Sequence, residues 1–163
     1  MKKNILLPTD FSDNAWSAVV YALKLFTEEE CTFYFLHSVT MKVTIMSNLS
    51  KKLLDVLRKN ALNELLELKE MAQNINVNPN HEFEIILSSD DLQAAIESAV
   101  EKHKIDLIVM GKKGTTADKE LYFGSNTIST INRLCKCPIL IIPEEYDFEI
   151  PKQIAFPTDF NRF

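Results

Sequence analysis

Short apolar runs alternate with longer amphipathic segments along this chain, and the alternation restricts the folds that it can adopt. The short runs are rich in β-branched and aromatic residues and predict strands, whereas the longer segments repeat apolar residues with a period near 3.6 and predict helices. Such alternation is typical of βαβ units and a parallel sheet. The chain is therefore predicted to form a three-layer α/β sandwich. Its five strands are predicted at 4–8, 32–39, 82–87, 107–110 and 139–142.

Four helices are predicted between these strands. The first begins at 12–14, which are good N-cap residues, the second covers about 49–74, the third follows 88–90, and the fourth opens near Ser125. The apolar loop at 41–48 packs on the second helix, covers a ligand or contacts a partner, and the sequence leaves these alternatives open. The buried stripe of the second helix is predicted to comprise Leu53, Leu57, Leu62, Leu65, Leu66 and Met71.

Composition excludes several classes of partner. With 163 residues, 46% of them hydrophobic, the chain is long enough for one domain and too short for two typical ones. Its net charge of −5 gives no positive field for nucleic acid or anionic lipid, so we expect neither partner. No segment approaches the ~20 apolar residues of a membrane span, and the apolar run before Pro8 is too short for a signal peptide. A cytoplasmic protein is expected.

Cysteines and histidines show no metal-binding or redox spacing. The last two cysteines are separated by one residue instead of two, and free thiols are therefore expected. The histidines are dispersed; the second and third are expected to be structural, and the first could border a ligand site. We find no general base that is suitably placed for hydrolysis. The residues concerned are Cys31, Cys135, Cys137, His37, His81 and His103.

All the glycines of the chain fall between residues 111 and 124, directly after the predicted fourth strand. A chain of this length ordinarily contains on the order of eleven glycines. Glycine permits positive φ and close approach of the backbone, and a strand, a glycine turn and a helix N-terminus together direct N–H groups at an anion. The window therefore predicts a phosphate-binding segment. Within it, Lys112 and Lys113 either add positive charge or are merely solvated, and Ser125 stands at the helix N-terminus.

Asp10 follows the first predicted strand, at the edge where α/β folds place ligand-contacting side chains. There it could accept hydrogen bonds from a ligand or hold a cation. The alternative is that Asp10 begins the turn and caps the first helix. A repeat favours the first interpretation, because residues 3–11 return at 152–160 with six of nine identical. We therefore predict a domain at 1–146 and a tail at 147–163 that resembles the first strand of a second copy.

These residues resemble those of the universal stress proteins, in their nucleotide-binding branch, and the tail resembles the second-domain start of tandem members. The resemblance covers residues 1 to about 143. It implies a five-stranded parallel sheet of order 3-2-1-4-5, in the adenine nucleotide alpha hydrolase-like fold class, and a homodimer formed through the last strand. Its most specific part is the pattern G-x2-G-x9-G-[ST], which is met by Gly111, Gly114, Gly124 and Ser125.

The resemblance also implies a ligand and its contacts. The ligand is ATP, with or without Mg²⁺; Asp10 and Ser38 would contact adenine, and the glycine segment would hold ribose and phosphates. Asn126 and Ser38 stand where the family often has Val, which weakens the expected adenine packing. The implied site residues are Pro8, Thr9, Asp10, Ser38, Met110, Gly111, Lys113, Gly114, Gly124, Ser125 and Asn126.

Two functions therefore compete. The first is an ATP-binding module that acts in stress response or signalling, with little or no hydrolysis. The second is a nucleotide-independent interaction domain of the same fold that acts through its dimer surface. A slow ATPase is the weakest hypothesis because no catalytic base is evident. The complete glycine pattern favours the ATP-binding module.

Overall fold

Five strands and four helices alternate along the part of the chain that the structure describes. This computed structural model covers residues 2–40, 48–113, 123–134, 136–143 and 148–155, so the 41–47 loop, Gly114, Cys135 and the tail beyond residue 155 lie outside it. The predicted elements are confirmed, with ends that differ by a single residue. They are β1 (Lys3–Pro8), α1 (Asp13–Leu25), β2 (Cys31–Ser38), α2 (Asn48–Ile75), β3 (Glu82–Ser88), α3 (Leu92–His103), β4 (Leu107–Gly111), α4 (Ser125–Arg133) and β5 (Ile139–Ile142).

The strands form one parallel sheet in the order β3-β2-β1-β4-β5, which confirms the expected fold class. Strand β1 lies at the centre and pairs with β2 along its whole length, from Lys3 opposite Cys31 to Pro8 opposite Leu36. On its other side β1 pairs with β4, where Leu6 lies opposite Ile108. The carboxyl ends of β1 and β4 are consequently neighbours in the middle of the sheet.

Strand β1 is buried on both faces, and its side chains alternate between two clusters. Ile5 and Leu7 belong to the cluster that includes Ala18 of α1, whereas Leu6 belongs to the cluster that includes Ile96 of α3. Alternate residues of a strand point to opposite faces of a sheet, so this partition is expected when helices cover both faces. The result is the three-layer sandwich. None of the described helices combines the length and apolar character that crossing a membrane needs.

Helix α2 packs through a different stripe from the one predicted. Only Leu65 of the predicted set is buried, and its buried companions are Ala61, Leu68 and Ala72. These four residues recur at helical spacing on one face, and two of them are alanines, which a search for large apolar residues passes over. The other members of the predicted stripe are exposed: Leu53, Leu57, Leu62, Leu66 and Met71.

Residues 148–155 form neither helix nor strand. Phe148 packs edge-on against Tyr21 of α1, with 5.0 Å between ring centroids, and the Lys24 ammonium lies 5.9 Å from its ring. This part of the chain therefore folds back over α1. The similarity of the tail to a first strand, and with it the division at residue 146, stays a prediction.

Two leucines of α2 that differ in burial provide a test of which face packs. Leu65 is 0% exposed and Leu62 is 39% exposed. We expect Leu65→Ala to lower the free energy of unfolding by about 2–5 kcal/mol, because it leaves a cavity in the core. The matched change Leu62→Ala should cost less than about 1 kcal/mol. Urea denaturation followed by circular dichroism measures both, and equal losses would contradict the assignment of the buried face.

Candidate functional site

A crevice opens at the carboxyl ends of β1 and β4. Strands β2 and β3 lie on one side of β1 within the sheet, and β4 and β5 lie on its other side, so the strand order reverses at β1. In open α/β sheets, ligands bind at such a reversal of strand order, because the flanking connections diverge and leave a cleft. The described residues that line the crevice are Pro8, Thr9, Asp10, Ala15, Leu92, Met110, Gly111, Lys113, Asn126 and Thr127.

Most of the residues implied by the sequence resemblance meet in this crevice. Ser38, Gly124 and Ser125 are not among its described lining residues, and Gly114 lies outside the described part of the chain. The structure brings together Pro8, Thr9, Asp10, Met110, Gly111, Lys113 and Asn126.

Sequence reasoning missed three lining residues, Ala15, Leu92 and Thr127. Each lies in the first turn of a helix, in α1, α3 and α4 respectively. The first turn of a helix that follows a parallel strand necessarily lies at the carboxyl edge of the sheet. That rule, applied to the predicted helix starts, could have found all three.

Asp10 holds the N-cap of α1 as well as lining the crevice. Its Oδ1 accepts hydrogen bonds from the Ser12 hydroxyl at 2.6 Å and the Ser12 N–H at 3.2 Å. Ser12 is the N-cap, as predicted, and its Oγ accepts from the Ala15 N–H at 3.2 Å. The two interpretations of Asp10 are therefore compatible, since one carboxylate oxygen supports the cap while the residue borders the crevice.

The turn between Asp10 and α1 is held in a strained conformation. Phe11 has φ of 63°, in the left-handed region that costs roughly 1–2 kcal/mol for a residue with a Cβ. Thr9 offsets this cost, because its Oγ1 accepts from the Phe11 N–H at 3.0 Å and its carbonyl accepts from His37 Nδ1 at 2.8 Å. The rings of Phe11 and His37 are also in contact, with centroids 4.5 Å apart and planes tilted by 35°. The floor of the crevice is thereby fixed.

The end of β4 is tied to two neighbouring elements. The Gly111 carbonyl accepts from Thr127 Oγ1 of α4 at 3.1 Å, and the Lys112 carbonyl accepts from the Gly124 N–H at 2.9 Å. The Lys112 N–H donates to the Ile142 carbonyl of β5 at 2.8 Å. Because α4 and β5 hold this segment, its position relative to the first turn of α4 is set by the backbone.

The described glycines do not have the positive φ that glycine permits. Neither Gly111 nor Gly124 has positive φ, and Gly124, at φ −65°, is the N-cap of α4. Ser125 is thus the first helical residue and not the cap. Because its N-cap is a glycine, the N-cap residue of α4 makes no side-chain hydrogen bond to the first N–H groups of the helix. Gly111 is needed for close approach, because a Cβ there would lie 2.8 Å from the backbone oxygen of Asn14.

Ser38 lies at the end of β2, one strand away from the reversal of strand order. Its hydroxyl donates a hydrogen bond to the carbonyl of Asp90, in the turn between β3 and α3, at 2.5 Å. The side chain thus fastens that turn to the sheet. A ligand contact by the Ser38 hydroxyl would have to replace this bond or share it.

The crevice is small. Its volume is about 50 Å³, whereas sites for small molecules usually measure roughly 300–1,000 Å³. A nucleotide would therefore have to displace some of the bordering side chains. The donor set is nevertheless suited to an anion, since it combines Lys113 with the first turn of α4, which begins at Ser125 after a glycine N-cap.

The remaining histidines have structural contacts. His81 is buried, and its Nδ1 lies 2.6 Å from Asn76 Oδ1 while its Nε2 lies 3.1 Å from the Phe26 carbonyl oxygen. The ring of His103 lies against that of Tyr34, with centroids 4.7 Å apart. Within the described ranges, no three acidic, histidine or cysteine side chains are grouped as metal ligands would be.

Both described cysteines are buried free thiols, as predicted. Burial raises the pKa of Cys31 to about 11, and the nearby Glu29 carboxylate adds to the rise. Burial, with the Asp106 carboxylate, also raises the pKa of Cys137. Since the thiolate is the reactive form, neither side chain is suited to redox chemistry near neutral pH.

Alkylation tests this assignment. At pH 8 a thiol with a pKa near 11 is only about 0.1% thiolate, so we expect Cys31 to react with iodoacetamide at least about a hundredfold more slowly in the native protein than in urea. Reactivity should rise as the pH approaches 11. Peptide mass spectrometry after timed quenching measures the rates, and similar native and unfolded rates at pH 8 would contradict the buried placement.

This sheet order and the position of the crevice define a doubly wound α/β protein with a crevice at the switch point. Comparison with known families gives the particular family: the model of the universal stress protein family matches residues 1–143. The chain therefore belongs to the universal stress protein family.

Individual relatives agree. The chain is 29% identical over 143 residues to the universal stress protein MJ0531 of Methanocaldococcus jannaschii, which covers 86% of this chain and 81% of that protein. The solved structure of the universal stress protein UspA from Lactobacillus plantarum is similar with a TM-score of 0.70 and 26% identity, over 86% of this chain and 97% of that one.

Two more distant structures of the same fold contain nucleotides. One is a universal stress protein in complex with cAMP, with 17% identity and a TM-score of 0.63 over 86% of this chain and 96% of that one. The other is a universal stress protein family protein from Arabidopsis thaliana with AMP bound, with 12% identity and a TM-score of 0.50 over 86% and 91%. At these identities the likeness shows the fold alone.

Proposed function

We propose that the chain binds an adenine nucleotide, ATP above all, in the crevice between β1 and β4. One observation carries the proposal: residues 8–10, 110–111, 113 and 126, from separate parts of the sequence, converge where the strand order reverses. Parallel α/β folds bind nucleotides at this place because helix N-termini and strand ends meet there. The nucleotides in two structures of the same fold support the choice of an adenine ligand.

The proposed orientation places the phosphates against the first turn of α4. Its N-cap, Gly124, provides no side-chain acceptor for the first N–H groups of the helix, so an anion that binds them would satisfy them and gain from the helix dipole. Lys113 adds a positive charge to the same crevice. Asp10 lies at the end of β1, where its carboxylate would accept hydrogen bonds from the nucleoside, with Ser38 as the second proposed adenine contact. The chain then belongs to the nucleotide-binding branch of the family.

The proposed role is a nucleotide-binding module in cytoplasmic stress response or signalling, with little or no hydrolysis. A hydrolase needs a group that activates water at the γ-phosphate. Among the described lining residues Asp10 is the only carboxylate, and its Oδ1 is engaged by Ser12. We therefore propose that the bound state itself is the signal.

Adjacent lysines offer a matched test of phosphate placement. Lys113 lines the crevice, whereas the Lys112 ammonium lies 5.8 Å from the ring of Phe123. Lys113→Met should weaken ATP binding about tenfold, because a charge-assisted hydrogen bond is lost. Lys112→Met removes the same net charge and should change the affinity by less than about threefold.

Isothermal calorimetry with ATP and Mg²⁺ measures these affinities, and adenosine serves as the ligand without phosphates. Adenosine affinity should be unchanged in both variants. Equal weakening of ATP binding by the two substitutions would show that only general charge matters. No binding by the wild-type protein at millimolar ATP would refute the proposed function.

A nucleotide-independent dimer remains the second candidate, favoured by one surface. Strand β5 lies at the edge of the described sheet, and the neighbouring α4 exposes Ile128 at 43% and Ile131 at 44%. Unpaired strand edges and exposed apolar patches mark surfaces where another chain can pack. We propose a homodimer through β5 that includes this face of α4.

Light scattering tests the dimer. Ile131→Glu places a charge in the proposed interface and should shift the mass from dimer to monomer at micromolar concentration. Ile154→Glu is the control, because Ile154 is 91% exposed in the segment after β5. A monomeric wild-type protein at all concentrations would rule out the dimer, and an unaffected dimer in Ile131→Glu would place the interface elsewhere.

A further inference from the structure

Asn14 joins the two walls of the crevice. It is the second residue of α1, which follows the Asp10 turn, and it is only 9% exposed. Its Nδ2 donates a hydrogen bond of 2.6 Å to the carbonyl of Lys113, beyond the end of β4. The contact links residues 99 positions apart in the sequence and connects the β1 side of the crevice with the β4 side.

The same side chain fits against the bare backbone of Gly111. A Cβ built on Gly111 would lie 2.8 Å from Asn14 Nδ2 and 2.9 Å from Asn14 Cγ. Real Cβ contacts are essentially never shorter than 3.0 Å, so the amide group occupies the space that any larger residue would need. Asn14 and Gly111 therefore interlock, and each restricts what the other position can hold.

Helix stability alone gives no reason for an asparagine here. The N-cap role belongs to Ser12, and asparagine inside a helix is less favourable than alanine. In addition, Asn14 Oδ1 is buried and has no hydrogen-bond partner in the described part of the chain. An unsatisfied buried oxygen lowers the stability of the folded state. Local departures of this kind from the best choice for folding are common where a residue serves a site.

We propose that Asn14 is a positioning residue for the crevice. It sets the distance between the Asp10 turn and the Gly111–Lys113 segment, and so places Lys113 and the first turn of α4 for the phosphates. This inference rests on the proposed nucleotide binding. The Gly111 and Lys112 carbonyls are fastened to Thr127 and Gly124, on the α4 side. The Lys113 carbonyl, in contrast, is fastened across the crevice to α1.

Asn14→Ala separates positioning from simple stability. Alanine is the better helix former and removes the unpaired oxygen, and these gains oppose the loss of the hydrogen bond to Lys113, so the midpoint of urea unfolding should change little. ATP affinity should nevertheless fall about tenfold, because the segment that carries Lys113 loses its link to α1. Adenosine affinity should change by less than about threefold, since the adenine side is untouched.

The matched control is Ser17→Ala on the same helix. The Ser17 hydroxyl donates to the Asp13 carbonyl at 2.9 Å, entirely within α1, and the bond is exposed. This variant also removes a side-chain hydrogen bond from α1, but none that crosses to β4. Its affinities for ATP and adenosine should equal those of the wild type.

A second measurement needs no nucleotide. Hydrogen exchange of the ligand-free protein reports the Lys112 amide, which donates to Ile142. Its exchange should accelerate in Asn14→Ala and stay unchanged in Ser17→Ala, if the link to α1 steadies the segment. The interlock predicts further that Gly111→Ala destabilises the wild type more than it destabilises Asn14→Ala, because two of the three close atoms are then gone.

The outcomes separate this inference from the proposed function. If the wild type binds no ATP, the proposed function fails, and hydrogen exchange alone decides whether Asn14 positions the segment. Wild-type ATP affinity together with wild-type exchange in Asn14→Ala would overturn the inference. Equal weakening of ATP and adenosine, with a lower unfolding midpoint, would also overturn it, because Asn14 would then be a structural residue only.

Discussion

The burial of β1 between two helical layers is the constraint on which the rest of the structure depends. Ile5, Leu6 and Leu7 are almost wholly buried, and they supply both hydrophobic clusters at once. A strand buried on both faces takes the centre of a parallel sheet, and its carboxyl end then emerges among helix N-termini. The crevice is a consequence of this packing, because Asp10 and Lys113 can meet only when β4 lies beside β1.

Close packing, more than backbone freedom, explains the glycine that the structure describes at the end of β4. Gly111 does not have a positive φ. It is needed because it has no side chain where the first turn of α1 packs against it. This approach lets Asn14 reach the carbonyl of Lys113. The same glycine therefore joins the core to the crevice: it permits the contact of α1 with β4 and leaves the segment after β4 within reach of a ligand.

The fold could be predicted from the sequence because periodicity records burial directly. The alternation of strands and helices predicted the parallel sheet, and Ser12 predicted the start of α1. The buried face of α2 was predicted wrongly, since Ala61 and Ala72 pack on the sheet in place of larger leucines. Small residues occur at an interface where two elements pack closely together, and a single sequence does not reveal the distance between those elements.

The site was predictable where strands end and helices begin. Asp10 and Lys113 follow strands, and Thr127 lies in the first turn of a predicted helix. Asn14 could not be predicted in this way, because its contact with Lys113 depends on how closely α1 packs against β4.

An acidic protein that holds an anion must create positive potential locally, because its net charge of −5 opposes the ligand at long range. In the proposed site that potential comes from Lys113 and from the first N–H groups of α4, whose N-cap is a glycine. Both act over short distances, so their effect depends on where the segment after β4 is held. Asn14 holds this segment with an amide whose oxygen has no partner among the described residues, which lowers the stability of the fold. The loss is understandable if a small displacement of Lys113 would weaken binding by more than the unpaired oxygen lowers stability.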